Sequence, residues 1–174
     1  MERIRVIFNP VAGQGRAARA GAALQAELSR MDEGDWFRTT RRGDAYRLAA
    51  GAAREGVAAV VAAGGDGTVH EIVNGLLSVR REAPLPTLAI LPLGSANDFA
   101  AGLGIRDVAT GWECVRNGRS RPVDVGRVTD ENGWCRYFCF SAGSASLPPW
   151  RRSAIASGAP TAIGSTSSRP CAPH

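Results

Sequence analysis

The 174-residue sequence predicts an α/β fold, in which helices cover both faces of a parallel β-sheet to give three layers. Short apolar runs of strand length alternate with segments of helical period from residue 5 to residue 117. Three of these runs end in glycine-rich turns, and 44% of all residues are hydrophobic. The chain can therefore build a packed core with several loops at the end of its strands.

The clearest unit is the stretch 57–77, which reads VAAVVAAGGDGTVHEIVNGLL. Its first seven residues are small and apolar, as in a buried parallel strand. Glycines interrupt the run, and apolar residues then return at helical spacing, at Val69, Ile72, Val73, Leu76 and Leu77. The unit is a strand, a glycine turn and a helix.

The turn of this unit allows two interpretations. Gly64, Gly65 and Gly67 would let phosphate approach the main chain at the positive end of the following helix. Thr68 and Glu71 are also spaced as a capping box, which would stabilise the helix start without any ligand. His70, in the first helical turn, is expected to be a solvated residue and not a catalytic base.

The elements before this unit follow the same alternation. Residues 5–8 predict a first strand, and a glycine turn containing Gly13 and Gly15 leads to a helix ending near residue 30. Taken alone, these glycines favour an ordinary tight turn; the alternative is a phosphate site with Arg16 as counter-charge. Residues 36–40 predict a second strand, and Asp44 is a good N-cap for a helix over 45–55 that Gly56 ends.

The elements after it end in consecutive strands. Residues 87–91 predict a further strand that ends at PLGSAND, where Ser95 and Asp98 are spaced as a cap pair for the next helix. A helix is predicted over 107–117, and strands over 121–128 and 136–140. This change of pattern predicts a first domain over residues 1–122 and the first strands of a β-rich second domain over 123–141.

The C-terminal segment differs in composition from the rest. No Asp or Glu follows residue 131, and residues 142–174 are mainly Ser, Ala, Gly, Pro and Arg without apolar period. Such a composition is typical of disorder. The segment is therefore interpreted as a disordered or frame-shifted tail, with the chain truncated.

Composition excludes several classes of site. All 21 basic residues are arginine, and without lysine the chain has neither the P-loop nor the protein-kinase phosphate contact. Cysteine spacing favours free thiols, and the two histidines cannot form a His-rich metal site. The net charge is +5, but the sequence has no basic patch interleaved with aromatic residues of the kind that nucleic-acid-binding proteins carry. With no transmembrane or leader segment, a cytoplasmic protein is expected.

The three glycine turns are expected to act together. Parallel strands joined by right-handed crossovers place such turns at the same edge of the sheet. A shared nucleotide site at that edge is therefore predicted. Asp66 and Asp98 would be the acidic residues nearest the phosphates, suited to holding Mg²⁺ or its waters.

Five segments resemble the catalytic domain of diacylglycerol kinases and related bacterial lipid kinases, which are similar to sphingosine kinases and more distantly to NAD kinases. In chain order they are NPVAGQG, TTRRGDA, GGDGTVHEIVNGL, LPLGSANDFA and VDVGRV. The resemblance implies a Rossmann-like nucleotide-binding domain and ATP- and Mg²⁺-dependent phosphoryl transfer to the hydroxyl of diacylglycerol or a similar lipid.

The resemblance also implies which residues bind ATP. Thr39, with Thr40 as the alternative, would contact the nucleotide, and Asp66 would support catalysis. Ser95 stands where the family usually has threonine, and Ala101 stands where the family often has arginine after the segment NDFA. The complete expected set is Asn9, Gly13, Thr39, Thr40, Gly64, Gly65, Asp66, Gly67, Thr68, Glu71, Gly94, Ser95, Asn97 and Asp98.

In this family the general base and further metal-site residues belong to a second, β-rich domain. Since no acidic residue follows residue 131, the chain is expected to carry only the nucleotide-binding half of such a kinase and to show little catalytic turnover. Its general base and metal ligands are not identified from the sequence. Peripheral association with the inner membrane face and a homodimer are compatible with it. The alternatives are a nucleotide-binding remnant without chemistry and a kinase of a soluble acceptor such as NAD.

Overall fold

A computed structural model of the protein describes residues 3–29, 34–79 and 84–139. The strands and helices of the first 102 residues alternate, except for the 3-10 turn Ala12–Gly15. In chain order they are β1 (Ile4–Phe8), α1 (Arg16–Leu28), β2 (Gly34–Arg38), α2 (Asp44–Glu55), β3 (Ala59–Gly64), α3 (Asp66–Leu77), β4 (Thr87–Pro92) and α4 (Asp98–Gly102). The chain continues with α5 (Val108–Arg116), β5 (Gly126–Thr129) and β6 (Cys135–Phe138).

The first four strands form one parallel sheet in the order β2-β1-β3-β4. Side chains of β1, β3 and β4 alternate between its faces, because successive strand residues point in opposite directions. Ile7, Val60 and Ala62 pack on one face against α2, α3 and α4. Val6, Val61 and Leu91 pack on the other against α1 and α5. These three layers confirm the predicted α/β class.

The amino edge of the sheet holds a charged cluster. The side chain of Arg5 in β1 is only 5% exposed, and its guanidinium lies 4.5 Å from the ring centre of Phe37. Arg5 Nη2 donates to Glu55 Oε2 over 2.6 Å and to Asp35 Oδ2 over 3.3 Å. The Glu55 contact joins the end of α2 to the start of the sheet, at the edge opposite the glycine loops.

The predicted change from alternating elements to consecutive strands is confirmed. β5 and β6 pair antiparallel as a separate two-stranded sheet, and both are shorter than the predicted strands. Cys114 and Cys139 are free thiols as expected, but the expectation is wrong for Cys135, which is disulfide-bonded. The expectation for residues 142–174 lies outside the described residues. Within residues 3–29, 34–79 and 84–139, no helix is long and apolar enough to cross a membrane.

Two predicted boundaries differ slightly from the structure. α1 ends at Leu28, and β2 ends at Arg38, two residues before the predicted end. Thr39 still donates its main-chain N–H to the carbonyl of Phe8 over 2.9 Å, but the main-chain N–H of Thr40 donates to the Asp44 carboxylate instead of a strand. The chain therefore leaves the sheet at Thr40.

Candidate functional site

Three glycine loops meet at the carboxyl edge of the sheet. The first loop comprises residues 9–15 after β1, the second residues 64–68 at the end of β3, and the third residues 92–97 at the end of β4. Because β1, β3 and β4 are neighbours in the parallel sheet, their ends lie side by side. The structure thus brings together the three turns that the sequence predicted to act together.

The second and third loops touch through their main chains. A Cβ added to Gly94 would lie 2.4 Å from the Cα of Gly65, and one added to Gly65 would lie 2.9 Å from the Cα of Gly94. The N–H of Leu93 also donates to the carbonyl of Gly64 over 2.9 Å. Both glycines are therefore needed for the loops to approach each other, which gives them a structural role.

The first loop is tied to the other two. Asn9 Nδ2 donates to Thr68 Oγ1 over 2.9 Å. Gly13 has φ +60°, and a Cβ there would lie 2.3 Å from the carbonyl oxygen of Leu93. Arg16 donates to the carbonyls of Gly13 and Gly94, over 3.3 and 2.9 Å. Arg16, considered above as a counter-charge for phosphate, holds the first and third loops together.

The predicted cap pair of Ser95 and Asp98 is wrong. The N-cap of α4 is Asn97, a non-glycine residue with φ +57°, whose side-chain amide bonds both the N–H and the carbonyl of Gly94, over 2.8 and 2.9 Å. The carboxylate of Asp66 accepts from the N–H groups of Asp98 and Phe99, each over 3.2 Å. Asp66 thus caps a helix from the neighbouring loop and leaves the Ser95 and Asp98 side chains exposed.

The predicted capping box of Thr68 and Glu71 is also wrong. The N-cap of α3 is Gly65, without a side-chain cap, so Thr68 lies inside the helix, where its buried hydroxyl accepts from Asn9. Both carboxylate oxygens of Glu71 accept from the main-chain N–H of Gly43, each over 3.0 Å. Glu71 therefore joins α3 to the start of α2. His70 is exposed, as expected for a solvated residue.

The loop that contains Thr39 and Thr40 lies at the same edge, after β2. Thr39 is buried, whereas Thr40 is exposed beside an open depression of about 410 Å³. The residues that line this depression are Arg38, Thr40, Arg41, Asp44, Arg47 and Leu48. The structure places both threonines at the site's edge and joins their loop to the glycine loops through Glu71.

Asp44 does not cap α2 as predicted, because the N-cap is Gly43, with φ +85°. Its carboxylate accepts from the main-chain N–H groups of Thr40 and Arg41 and from the Thr40 hydroxyl, at 2.8, 3.0 and 2.8 Å. These hydrogen bonds hold the pKa of Asp44 well below its usual value, and the bond from the main-chain N–H of Thr40 has the largest effect. Sequence reasoning missed this role because Asp44 folds the loop that precedes it.

Gly67 differs from the other two glycines of the second loop. Nothing lies within 4 Å of a Cβ added there, and its φ is not positive. Packing and backbone conformation therefore leave room for a side chain at Gly67. It lies in the first turn of α3, where main-chain N–H groups and the positive helix end face the loop. Gly67 is also exposed, so a group bound at this helix end could reach its main chain.

Comparison with known proteins identifies similar chains. The model of the family described as the diacylglycerol kinase catalytic domain matches residues 3–128. The chain is 39% identical over 153 residues to a diacylglycerol kinase of Bacillus subtilis, an alignment that covers 84% of this chain and 47% of the relative. It is 49% identical over 120 residues to a Chromohalobacter salexigens protein named as a probable YegS-like lipid kinase, covering 67% of this chain and 34% of the relative.

A solved structure is also similar. The crystal structure of a diacylglycerol kinase from Bacillus anthracis matches with a TM-score of 0.66 and 30% identity, covering 79% of this chain and 45% of that one. The chain thus spans half or less of the length of these relatives.

Proposed function

Because the chain belongs to the family of the diacylglycerol kinase catalytic domain, we propose that it provides the ATP-binding half of a lipid kinase. The reaction would transfer the γ-phosphoryl group of ATP to the hydroxyl of diacylglycerol or a similar lipid. The relatives named as diacylglycerol kinases support the kinase class, and the close approach of the glycine loops supports a nucleotide position at the carboxyl edge of the sheet.

The observation that carries this proposal is the main-chain contact between Gly65 and Gly94. It joins two glycine loops directly in front of the N-terminus of α3, and the Asn9–Thr68 hydrogen bond adds the first loop. The phosphates would lie there, against main-chain N–H groups and hydroxyls. The proposed ATP contacts are Asn9, Gly13, Thr39, Thr40, Gly64, Gly65, Asp66, Gly67, Thr68, Glu71, Gly94, Ser95, Asn97 and Asp98.

The residues fit a Mg²⁺ ion that arrives with the nucleotide. Among the described residues, no group of three or more His, Cys, Asp and Glu side chains is placed to hold a metal. Mg²⁺ in kinases is commonly held by one or two carboxylates together with substrate phosphates. Asp98 is the exposed carboxylate at this edge, whereas both oxygens of Asp66 accept main-chain N–H groups. Bound Mg²⁺ would neutralise charge on the phosphates.

The chain's own residues would bind and orient the phosphoryl donor. Phosphoryl transfer depends mainly on positioning and on stabilising charge, so a donor held by three linked loops is one half of the requirement. The other half is an acceptor hydroxyl with a general base, which we assign to the part of the longer relatives that this chain does not span. The proposed protein is cytoplasmic and would reach its lipid substrate at an anionic membrane face, which its net charge of +5 would attract.

The test is phosphoryl transfer from γ-labelled ATP to an acceptor panel of diacylglycerol in mixed micelles, NAD and water. The full chain is compared with Asp98→Asn, which keeps the side-chain shape and removes the exposed carboxylate. We expect Mg²⁺-dependent binding of ATP that is weaker in Asp98→Asn than in the full chain. We also expect labelled lipid to form at a low rate, or only when the second half of a longer relative is supplied.

Each other outcome has a distinct meaning. If the chain binds ATP but yields no labelled product even when the relatives' second half is supplied, the chain is a nucleotide-binding remnant without kinase activity. Labelled NAD with unlabelled lipid assigns the chain to soluble acceptors and contradicts the lipid-kinase proposal. Absence of ATP binding by folded protein contradicts the whole proposal.

A further inference from the structure

One buried side chain of α3 binds the edge of the β5–β6 hairpin. Asn74 Nδ2 donates to the carbonyl of Tyr137 over 2.9 Å, and the N–H of Tyr137 donates to Asn74 Oδ1 over 2.9 Å. The side-chain amide thus pairs with a main-chain peptide as a neighbouring strand would. Tyr137 lies opposite Arg127 of β5 in the hairpin register, and its own main-chain groups bind α3 instead.

Asn74 is fixed at its other side as well. It is 5% exposed, and its Nδ2 also donates to the carbonyl of His70 one turn earlier, over 2.9 Å. The neighbouring Gly75 lets α2 approach α3, since a Cβ there would lie 2.2 Å from the carbonyl oxygen of Tyr46. α3 is therefore held by α2 on one side while Asn74 holds the hairpin.

The packing of β6 on α3 relates this contact to the glycine loops. Tyr137 lies beside Asn74 in the third turn of α3, and Tyr137 and Cys139 both pack against the buried cluster that includes Val69 and Ile72 of the same helix. β6 thus packs on α3, the helix that begins in the second loop. A shift of one residue would turn its side chains to the opposite face.

We propose that Asn74 is a positioning residue that holds β6 in one register on α3 and so couples the hairpin to the nucleotide loop. The coupling rests on the proposed function, because it assumes that nucleotide binds at the start of α3. Binding that orders the second loop would then tighten the hairpin against α3. By linkage, a hairpin released from α3 would lower the affinity for nucleotide by the same factor.

The free thiol of Cys139 offers a probe of this docking. Burial raises the pKa of the Cys139 thiol to about 11, so that little reactive thiolate forms while β6 stays docked. Cys114, on α5, is a second free thiol in the same chain and serves as internal reference. Alkylation of the two, resolved by mass spectrometry, therefore reports opening of β6 relative to the rest of the domain.

The variants are Asn74→Leu, which keeps the number and branching of the side-chain heavy atoms and removes all three hydrogen bonds, and Asn74→Ala. Asn117→Ala is the matched control, since Asn117 is an exposed asparagine that follows α5. Loss of the two bonds to Tyr137 should speed Cys139 alkylation about tenfold, with that of Cys114 unchanged. The Tyr137 amide should exchange slowly in the unaltered chain and fast in both Asn74 variants.

A nucleotide arm separates this inference from the proposed function. MgADP should slow Cys139 alkylation in the unaltered chain and in Asn117→Ala, and should lose that effect in the Asn74 variants while calorimetry still detects weaker binding. If MgADP binds but leaves Cys139 alkylation unchanged in the unaltered chain, the coupling is refuted. If MgADP does not bind at all, the proposed function fails, and the thiol and amide rates alone decide the docking role.

The docking role has its own refutation. Cys139 alkylation and Tyr137 exchange in Asn74→Leu that match the unaltered chain would overturn it. Should neither Asn74 variant fold, fast exchange of the Tyr137 amide in the unaltered chain would overturn it equally, and slow exchange would support it.

Discussion

Asn9 and Thr68 are 59 positions apart in sequence, yet the side-chain amide of Asn9 donates to the Thr68 hydroxyl over 2.9 Å. The same asparagine accepts from the main-chain N–H of Val11 over 3.2 Å, so it orders the first loop while holding the second. The hydroxyl of Thr68 is buried by this contact. The first and second glycine loops are therefore joined by a hydrogen bond between their own side chains.

Replacing Thr68 by valine should destabilise the domain and weaken ATP binding together. Valine keeps the shape but leaves the Asn9 amide without its acceptor, which costs about 1–3 kcal/mol for a group withdrawn from water. Urea unfolding and calorimetric titration measure the two effects. Thr87→Val, at an exposed position that starts β4, is the control and should change neither. Equal stability of the two variants would show that the bond contributes nothing.

Gly94→Ala should be among the more damaging small substitutions of the chain. The added methyl would lie 2.4 Å from the Cα of Gly65, and main chain on both sides must move. Such overpacking costs about 1–3 kcal/mol. Gly51→Ala in α2 is the matched control, because its methyl would meet nothing nearer than 3.6 Å, and it should stabilise by up to about 1 kcal/mol. Thermal melts that show both variants equally stable would contradict the loop contact.

The Arg5 cluster should respond asymmetrically to removal of its two sides. Arg5→Met leaves Asp35 and Glu55, whose side chains are 39% and 46% exposed, in contact with water, and should change the free energy of unfolding by about 1 kcal/mol or less. Removing both carboxylates by alanine leaves a buried guanidinium between Phe37 and the like charge of Arg3, at a cost of about 3 kcal/mol. Urea unfolding at neutral pH compares the two. Equal losses would mean that the cluster acts through packing only.

Acid should destabilise the Thr40 loop through Asp44. The folded protein lowers the pKa of Asp44 from its ordinary 3.8, so the stabilising charge is fully present above that value and is lost as pH falls towards the lower folded pKa. Asp44→Asn should therefore be less stable than the unaltered chain at neutral pH. The difference should shrink in urea unfolding at about pH 3 and below. A pH-independent difference would contradict this assignment.

The sequence allowed prediction of the elements because their apolar periods are local. The run before Gly64 and the helical spacing after Thr68 identify β3 and α3. Gly56 ends α2 as predicted, and it does so in the left-handed conformation. Parallel topology then placed the three glycine loops at one edge, since strand order within the sheet does not affect that conclusion.

The capping residues could not be predicted in the same way. Thr68, Glu71 and Asp66 lie at spacings that suit caps of their own helix, but their partners are Asn9, Gly43 and the start of α4. Local spacing carries no information about a partner from another loop. The Asn74–Tyr137 contact was missed for the same reason, because it links residues 63 positions apart.

The most direct test of the nucleotide site is a calorimetric titration of MgATP into the unaltered chain, Gly67→Ala and Gly51→Ala. Gly67 has open space and no conformational need for glycine, so alanine should leave the melting temperature equal or higher. We predict saturable binding to the unaltered chain and to Gly51→Ala, and an affinity about tenfold lower or worse in Gly67→Ala, whose methyl would enter the space proposed for the phosphates. Equal affinity in all three proteins, or no binding to the folded unaltered chain, would contradict a nucleotide site at these loops.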